Sequence, residues 1–259
     1  MELIKSAARR TKLSEVIYIL LNAVYAAFVL ALLIWFEGQP YLAYLLVILS
    51  KWRVFAVRPR FWIANMRTNL LDTLVGISVV TLLWQNMGNL TYQVVITVLF
   101  ALWLIILKPL SKRFWMIMQG SVAQFVSTMA LFTVAHTMHV VVVTALGWLI
   151  GFVAARHIIN AFSDEHEDVV ISVSWGIVIA ELTWLTYYWT IAYTPLKIPQ
   201  ISIIVTLLGY MALVVYNYLY HRTDSRTIGR DLAMPIVFSL AGILILLLFF
   251  NSFDPTSLS

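Results

Sequence analysis

Apolar runs long enough to cross a bilayer alternate along this chain with short connections that hold nearly all of its basic charge. This alternation restricts the fold more than any motif does. Threaded as nine crossings, the chain leaves 16 of its 17 Lys and Arg residues on one side, with only Lys197 opposite. Such asymmetry is how cytoplasmic loops orient a polytopic protein. Composition agrees, with 62% hydrophobic residues and 11% charged, against roughly 25% charged in soluble domains. Water could not solvate that much apolar surface, whereas lipid can.

A spanning helix needs about 20 residues. Spans are expected at Glu15–Phe36, Pro40–Val57, Leu70–Gln85, Leu90–Leu107, Phe114–His136, Val140–Ile159, Val169–Tyr193, Ile198–His221 and Asp231–Phe250. The expected fold class is therefore an all-α transmembrane bundle, one domain over residues 1–259, with the N-terminus cytoplasmic and the C-terminus outside. The basic residues before the first run (Lys5, Arg9, Arg10, Lys12) resemble a signal peptide's n-region. The run itself exceeds a signal peptide's apolar segment of about 7–15 residues and reads as a retained anchor. The second span is the weakest, because Lys51 and Arg53 must snorkel to the headgroups for it to reach across. Phe61, Trp62, Ile63, Met66 and Leu70 fall near one helical face, so a short interfacial helix is expected there, with a basic loop as the alternative. Gly147, Gly151 and Ala155 make a small-residue stripe suited to close helix packing.

The net charge of +5 collects at the ends of apolar runs, where anionic headgroups lie, so lipid rather than nucleic acid is the expected partner. Without cysteine there is no disulfide, thiolate metal site or cysteine nucleophile. Glu181, near the middle of the seventh span, is the leading candidate functional residue, since an ionisable group at that depth is costly. No Lys or Arg shares its depth, so Gln124 in the fifth span is its expected partner, with Asn22 and Tyr210 as further candidates. Lacking a cation, the Glu181 carboxyl should favour a protonated, hydrogen-bonding form. That suits proton-coupled transport of a small solute or ion; the alternative is a neutral acid that joins two helices.

Between the sixth and seventh spans, Asn160, Asp164 and Asp168 are spaced Asn-x-x-x-Asp-x-x-x-Asp. This resembles part of the first aspartate-rich motif of UbiA-type prenyltransferases, with Ala161 where that family usually has another Asp. The resemblance implies a helical membrane enzyme whose carboxylates hold Mg²⁺ against a prenyl diphosphate at the cytoplasmic face. Read without it, Asp164 and Glu167 cap the seventh helix. His136 and His139 flank a tight outer turn, with no third metal ligand near in sequence. Lys51 to Arg58-Pro59 resembles the opening of the membrane-bound phosphatidic acid phosphatase motif. Ser225-Arg226 is followed by no His, however, so that family's nucleophile system is missing.

Lys51–Trp62 and Ala180–Thr190 resemble stretches of multi-pass proteins from small-genome bacteria, which implies a bacterial plasma membrane and no particular activity. The expected function is small-solute or ion transport across a bacterial inner membrane, with no cofactor. The alternatives are a non-catalytic subunit that partners other membrane subunits, or the Mg-dependent lipid transferase.

Overall fold

The computed structural model describes residues 2–52, 56, 58, 60, 62–162, 168–188, 192–193, 198–220 and 228–249; side chains at 2–13, 63–65, 67–68, 192–193, 220, 228–231 and 249 are not described. The described chain is all-helical apart from a two-residue pairing. It divides into two compact units, residues 1–119 and 120–259, with the division inside one helix.

The N-terminal unit contains α1 (Glu2–Trp35), α2 (Tyr41–Leu49), α3 (Trp62–Gln85) and α4 (Leu90–Leu102), which continues as a π-helical turn over Trp103–Leu107. α1 buries Ala26, Val29 and Leu33 at helical spacing. It ends in a Schellman turn: the Gly38 amide donates to the Leu33 carbonyl at 2.8 Å and the Glu37 amide to Ile34 at 3.3 Å. Glu37 takes the left-handed position, φ 51°, which a glycine would occupy without steric cost. α2 lies close on α3 because Gly76 leaves room for Val47; a Cβ there would meet Val47 Cγ1 at 2.6 Å. Tyr44 and Thr81 hydrogen-bond across that contact at 2.9 Å.

The C-terminal unit takes up the rest of α5 (Arg113–Val134), a 3₁₀ turn (Ala135–Thr137), α6 (Val140–Ile159), α7 (Asp168–Thr186), α8 (Gln200–Tyr220) and α9 (Ile228–Phe249). β1 (Ala192–Tyr193) and β2 (Ile198–Pro199) pair antiparallel between α7 and α8, Ala192 opposite Pro199. The small-residue stripe does pack: a Cβ on Gly147 would strike Thr183, and one on Gly151 would lie 2.7 Å from Ile179 Cγ1. α6 and α7 therefore approach backbone to backbone, with Gly151 against Gly176. Both ends of this hairpin are tied. Arg156 pairs with Asp168 at 3.0 Å, and the Tyr187 hydroxyl donates to the Met138 carbonyl at 2.7 Å.

Six helical segments among the described residues are long and apolar enough to cross a membrane: Ser14–Trp35, Leu90–Leu107, Arg113–Thr137, Val140–Ile159, Asp168–Thr186 and Gln200–Leu219. Asn69–Gln85 and Leu232–Leu248 are shorter apolar helices. Of the second expected span, the described residues hold α2, nine residues long, which rises only about 14 Å against a hydrocarbon core of roughly 30 Å; residues 53–55 and 57 lie outside the described residues. The expected interfacial helix is not a separate element: Trp62 to Leu70 is continuous with the third span as α3, and Phe61 falls outside the described residues. The seventh span ends at Thr186, not Tyr193, giving way to the short β pairing.

Candidate functional site

Gln124 is 3% exposed, at the middle of α5. An amide buried inside a helical bundle must find partners, and Gln124 finds two. Its Oε1 accepts from the Trp175 indole N–H at 2.9 Å, and its Nε2 donates to the Val205 backbone carbonyl at 3.1 Å. Val205 can accept because α8 approaches α5 closely at Gly209, where a Cβ would sit 3.3 Å from Gln124 Nε2 and 3.5 Å from Trp175 Cζ2. One glutamine thus joins α5, α7 and α8.

The joint borders a cleft of about 90 Å³. Its walls are mostly apolar, with Ile158, Ile159, Ile171 and Leu213 among them, while Ser121, Gln124, Trp175 and Thr206 bring polar groups. This space exceeds the share of one water and is well below the roughly 300–1,000 Å³ of ordinary small-molecule sites. It can hold a few waters or a solute of a few heavy atoms. A primary amide offers two N–H donors and two acceptor lone pairs. Trp175 and Val205 engage one of each.

The remaining sequence-predicted residues lie elsewhere. Glu181, six residues beyond Trp175 on α7, is exposed and is not among the cleft residues. Gln124 and Glu181 are therefore not brought together; the indole of Trp175 stands where the carboxyl was expected. Tyr210 is exposed, beside Gly209 in α8, and is also outside the lining. Asn22, in the N-terminal unit, donates to the Tyr18 carbonyl of its own helix at 2.8 Å. Asn160 is an exposed residue at the end of α6, and Asp164 falls outside the described residues. Asp168 pairs its carboxylate with Arg156 at 3.0 Å. No group of three metal-ligating side chains occurs among the described residues.

A second polar cluster, in the N-terminal unit, was not singled out from sequence. One oxygen of Asp72, in the first half of α3, accepts from Lys51 at 2.9 Å and from Lys108 at 2.8 Å. The three side chains are 16%, 17% and 33% exposed respectively. Burial at Lys108 works against its charge, but the adjacent Asp72 carboxylate outweighs this and holds its pKa above the ordinary lysine value. Lys108 follows the π-helical turn directly, and its amide donates to Trp103 at 2.9 Å. Side chains bond carbonyls within and just after this turn: Tyr18 donates to Leu104 at 2.8 Å, and Gln119 donates to Leu107 at 2.6 Å and to Leu110 at 2.8 Å. Two ammonium groups on one carboxylate clamp the end of α2, α3 and the end of α4 together. The visible signal was Leu70-Leu71-Asp72, an acid at the start of an apolar run flanked by two lysine-bearing connections.

No protein-family model, curated protein or solved structure matches this chain.

Proposed function

We propose that this is a bacterial inner-membrane protein that crosses the bilayer nine times, N-terminus in and C-terminus out, and passes a small neutral solute through its C-terminal unit. The carrying observation is the buried Gln124–Trp175 pair on the wall of a small cleft, at mid-helix in a span. A few polar groups in an otherwise apolar recess is the usual make-up of a small-molecule site. Irregular polarity at membrane depth is tolerated where it lines a cavity. The asymmetry of basic residues supports the orientation, with the Asp72 clamp on the cytoplasmic side. α2 is too short to cross as a helix on its own, so its segment would need the chain through Val57 to complete the passage.

Proton coupling rests on Glu181, which lies outside the cleft, so the proposal is solute passage rather than proton-driven uptake. The test is light scattering from proteoliposomes challenged with urea or glycerol. Protein-bearing vesicles should re-swell faster than protein-free ones. Gly209→Leu, which fills the cleft, and Gln124→Leu should return them to the protein-free rate. Equal rates with and without protein would refute solute passage.

One observation favours a second reading, a subunit of a membrane assembly. The Glu181 carboxyl lies on an exposed helix face, where lipid gives it no hydrogen-bond partner.

A further inference from the structure

The cleft lies to one side of the Gln124–Val205 bond. Its lining reaches Ile159 at the end of α6, Ile171 in the first turn of α7 and Tyr216 near the end of α8, and stops at Gln124 and Thr206. A solute that enters it must pass that bond to cross. Two hydroxyls stand about one turn beyond. Thr128 is about 6 Å past Gln124 along α5 and about 40° around it, so the two share a face. Ser202 is about 4.5 Å beyond Val205 on α8, within about 20° of Gly209, the residue that faces Gln124. Both side chains are buried, at 1% and 0% exposure, and neither hydroxyl has a hydrogen-bond partner among the described residues. Other hydroxyls of this unit bond a carbonyl of their own helix, as Thr206 does to Ser202 and Thr133 to Ala130, each at 2.7 Å. Ser202 sits in the first turn of α8, whose amides have no acceptor within the helix, and Gln200 and Ile201 of that turn are buried with it.

We propose that Thr128 and Ser202, with the first-turn amides of α8, form a second binding station beyond Gln124 for the acceptor oxygen of a small neutral solute. The station rests on the passage proposed above and carries it outward between α5 and α8. A buried hydroxyl without a partner costs free energy, which a solute oxygen returns by accepting from it when the two helices part. The donors converge on an acceptor: two O–H groups and the amides of a helix N-terminus, all of which suit a carbonyl or hydroxyl oxygen. No Lys, Arg, Asp or Glu lines the cleft that leads there, so the solute carries no charge. The rest of the course is short, since Ser202 is the third residue of α8. Fully buried Pro199, and Gln200 held to the Leu246 carbonyl at 2.8 Å, close it beyond the station. The hydroxyl of Thr183 is also buried and unpartnered, but it packs against Gly147 in the α6–α7 seam and serves as the comparison.

The chain has no cysteine, so each introduced thiol reports on one position only. Thr128→Cys, Ser202→Cys and Thr183→Cys would be treated with methyl methanethiosulfonate in full-length protein in liposomes. Only the thiolate reacts, so modification reports water at the position. The two station thiols should react at least about tenfold faster than Thr183→Cys, because water follows a route that opens and does not enter a packed seam. Reaction no faster than at Thr183→Cys overturns the route, whichever solute the protein carries. The double variant Thr128→Val with Ser202→Ala removes the hydroxyls and little else. Its urea passage should fall at least about fivefold, while it unfolds in SDS at no lower detergent fraction than the parent, since neither hydroxyl has a partner to lose. Urea passage at the parent's rate in this variant, with Gln124→Leu blocked, overturns the station and leaves the passage standing. A parent that passes no urea removes the passage and the station with it.

Discussion

Replacing Asp72 with Asn keeps the side chain's shape and removes its charge, leaving Lys51 and Lys108 facing each other. Each lysine-to-carboxylate attraction, at 2.9 and 2.8 Å, is about 6 kcal/mol for an effective dielectric of about 20. The lysines share one oxygen, so they sit within about 6 Å of each other and repel by roughly 3–4 kcal/mol at the same dielectric. The gross electrostatic gain is therefore about 8 kcal/mol, much of it offset by several kcal/mol of desolvation for each ion. With Asn at position 72 the attraction goes, while the repulsion and the desolvation stay. Removing one partner from a fully buried pair costs about 3–5 kcal/mol. Residual exposure of 16–33% lets water screen part of this, which brings the expected loss to about 2–4 kcal/mol. The assay is SDS unfolding in mixed micelles, followed by tryptophan fluorescence. Adding Lys51→Met and Lys108→Met to Asp72→Leu should recover most of the loss, because the stranded charges are then gone. If Asp72→Asn unfolds within about 0.5 kcal/mol of the parent, an ordinary surface-substitution effect, the clamp is not what holds these helices together.

Three smaller changes probe other contacts. Glu37→Gly should stabilise the protein by roughly 0.5–1 kcal/mol in the same unfolding assay, because the left-handed position costs an L-residue about 1–2 kcal/mol and glycine returns some of that as entropy. Trp175→Phe strands the Oε1 of buried Gln124 and should cost about 1–3 kcal/mol, whereas Trp175→Phe with Gln124→Leu should cost less than Trp175→Phe alone. Gly151→Val forces α6 off Ile179 and the Gly176 backbone; its cost of about 1–3 kcal/mol should show as faster proteolysis of the 160–168 connection.

The helical architecture was legible because spanning a bilayer requires long apolar runs, and those runs are separated by charge at almost every turn. The Gly147–Gly151 stripe was equally plain, since close packing is the main use of small residues at that interval. What the pattern could not show was which faces meet. Gln124 and Glu181 both read as mid-span, but hydropathy specifies neither where a helix stops nor its rotation: α7 ends at Thr186, and Trp175, six residues or about 9 Å along the axis from Glu181, is what meets Gln124. Trp175 went unnoticed because aromatic residues in spans are usually read as apolar bulk or interfacial anchors. Asp72 was hidden for a different reason. Its lysine partners lie 21 and 36 positions away in sequence, and only helix packing brings them to one oxygen. The short α2 shows the same limit from the other side, since a basic residue at a span's end reads as a snorkelling anchor whether or not the helix continues to it.

The threading of the chain is tested most directly by labelling single cysteines in intact cells with a membrane-impermeant thiol reagent, using Ser111→Cys between α4 and α5 and Met87→Cys between α3 and α4. Both positions are exposed on short connections, and the protein has no native thiol to confuse the reading. Met87→Cys should react from outside, and Ser111→Cys should react only after the cells are opened. Labelling of Ser111→Cys in sealed cells, with Met87→Cys protected, would turn the basic connections outward and contradict the orientation on which the proposed passage rests.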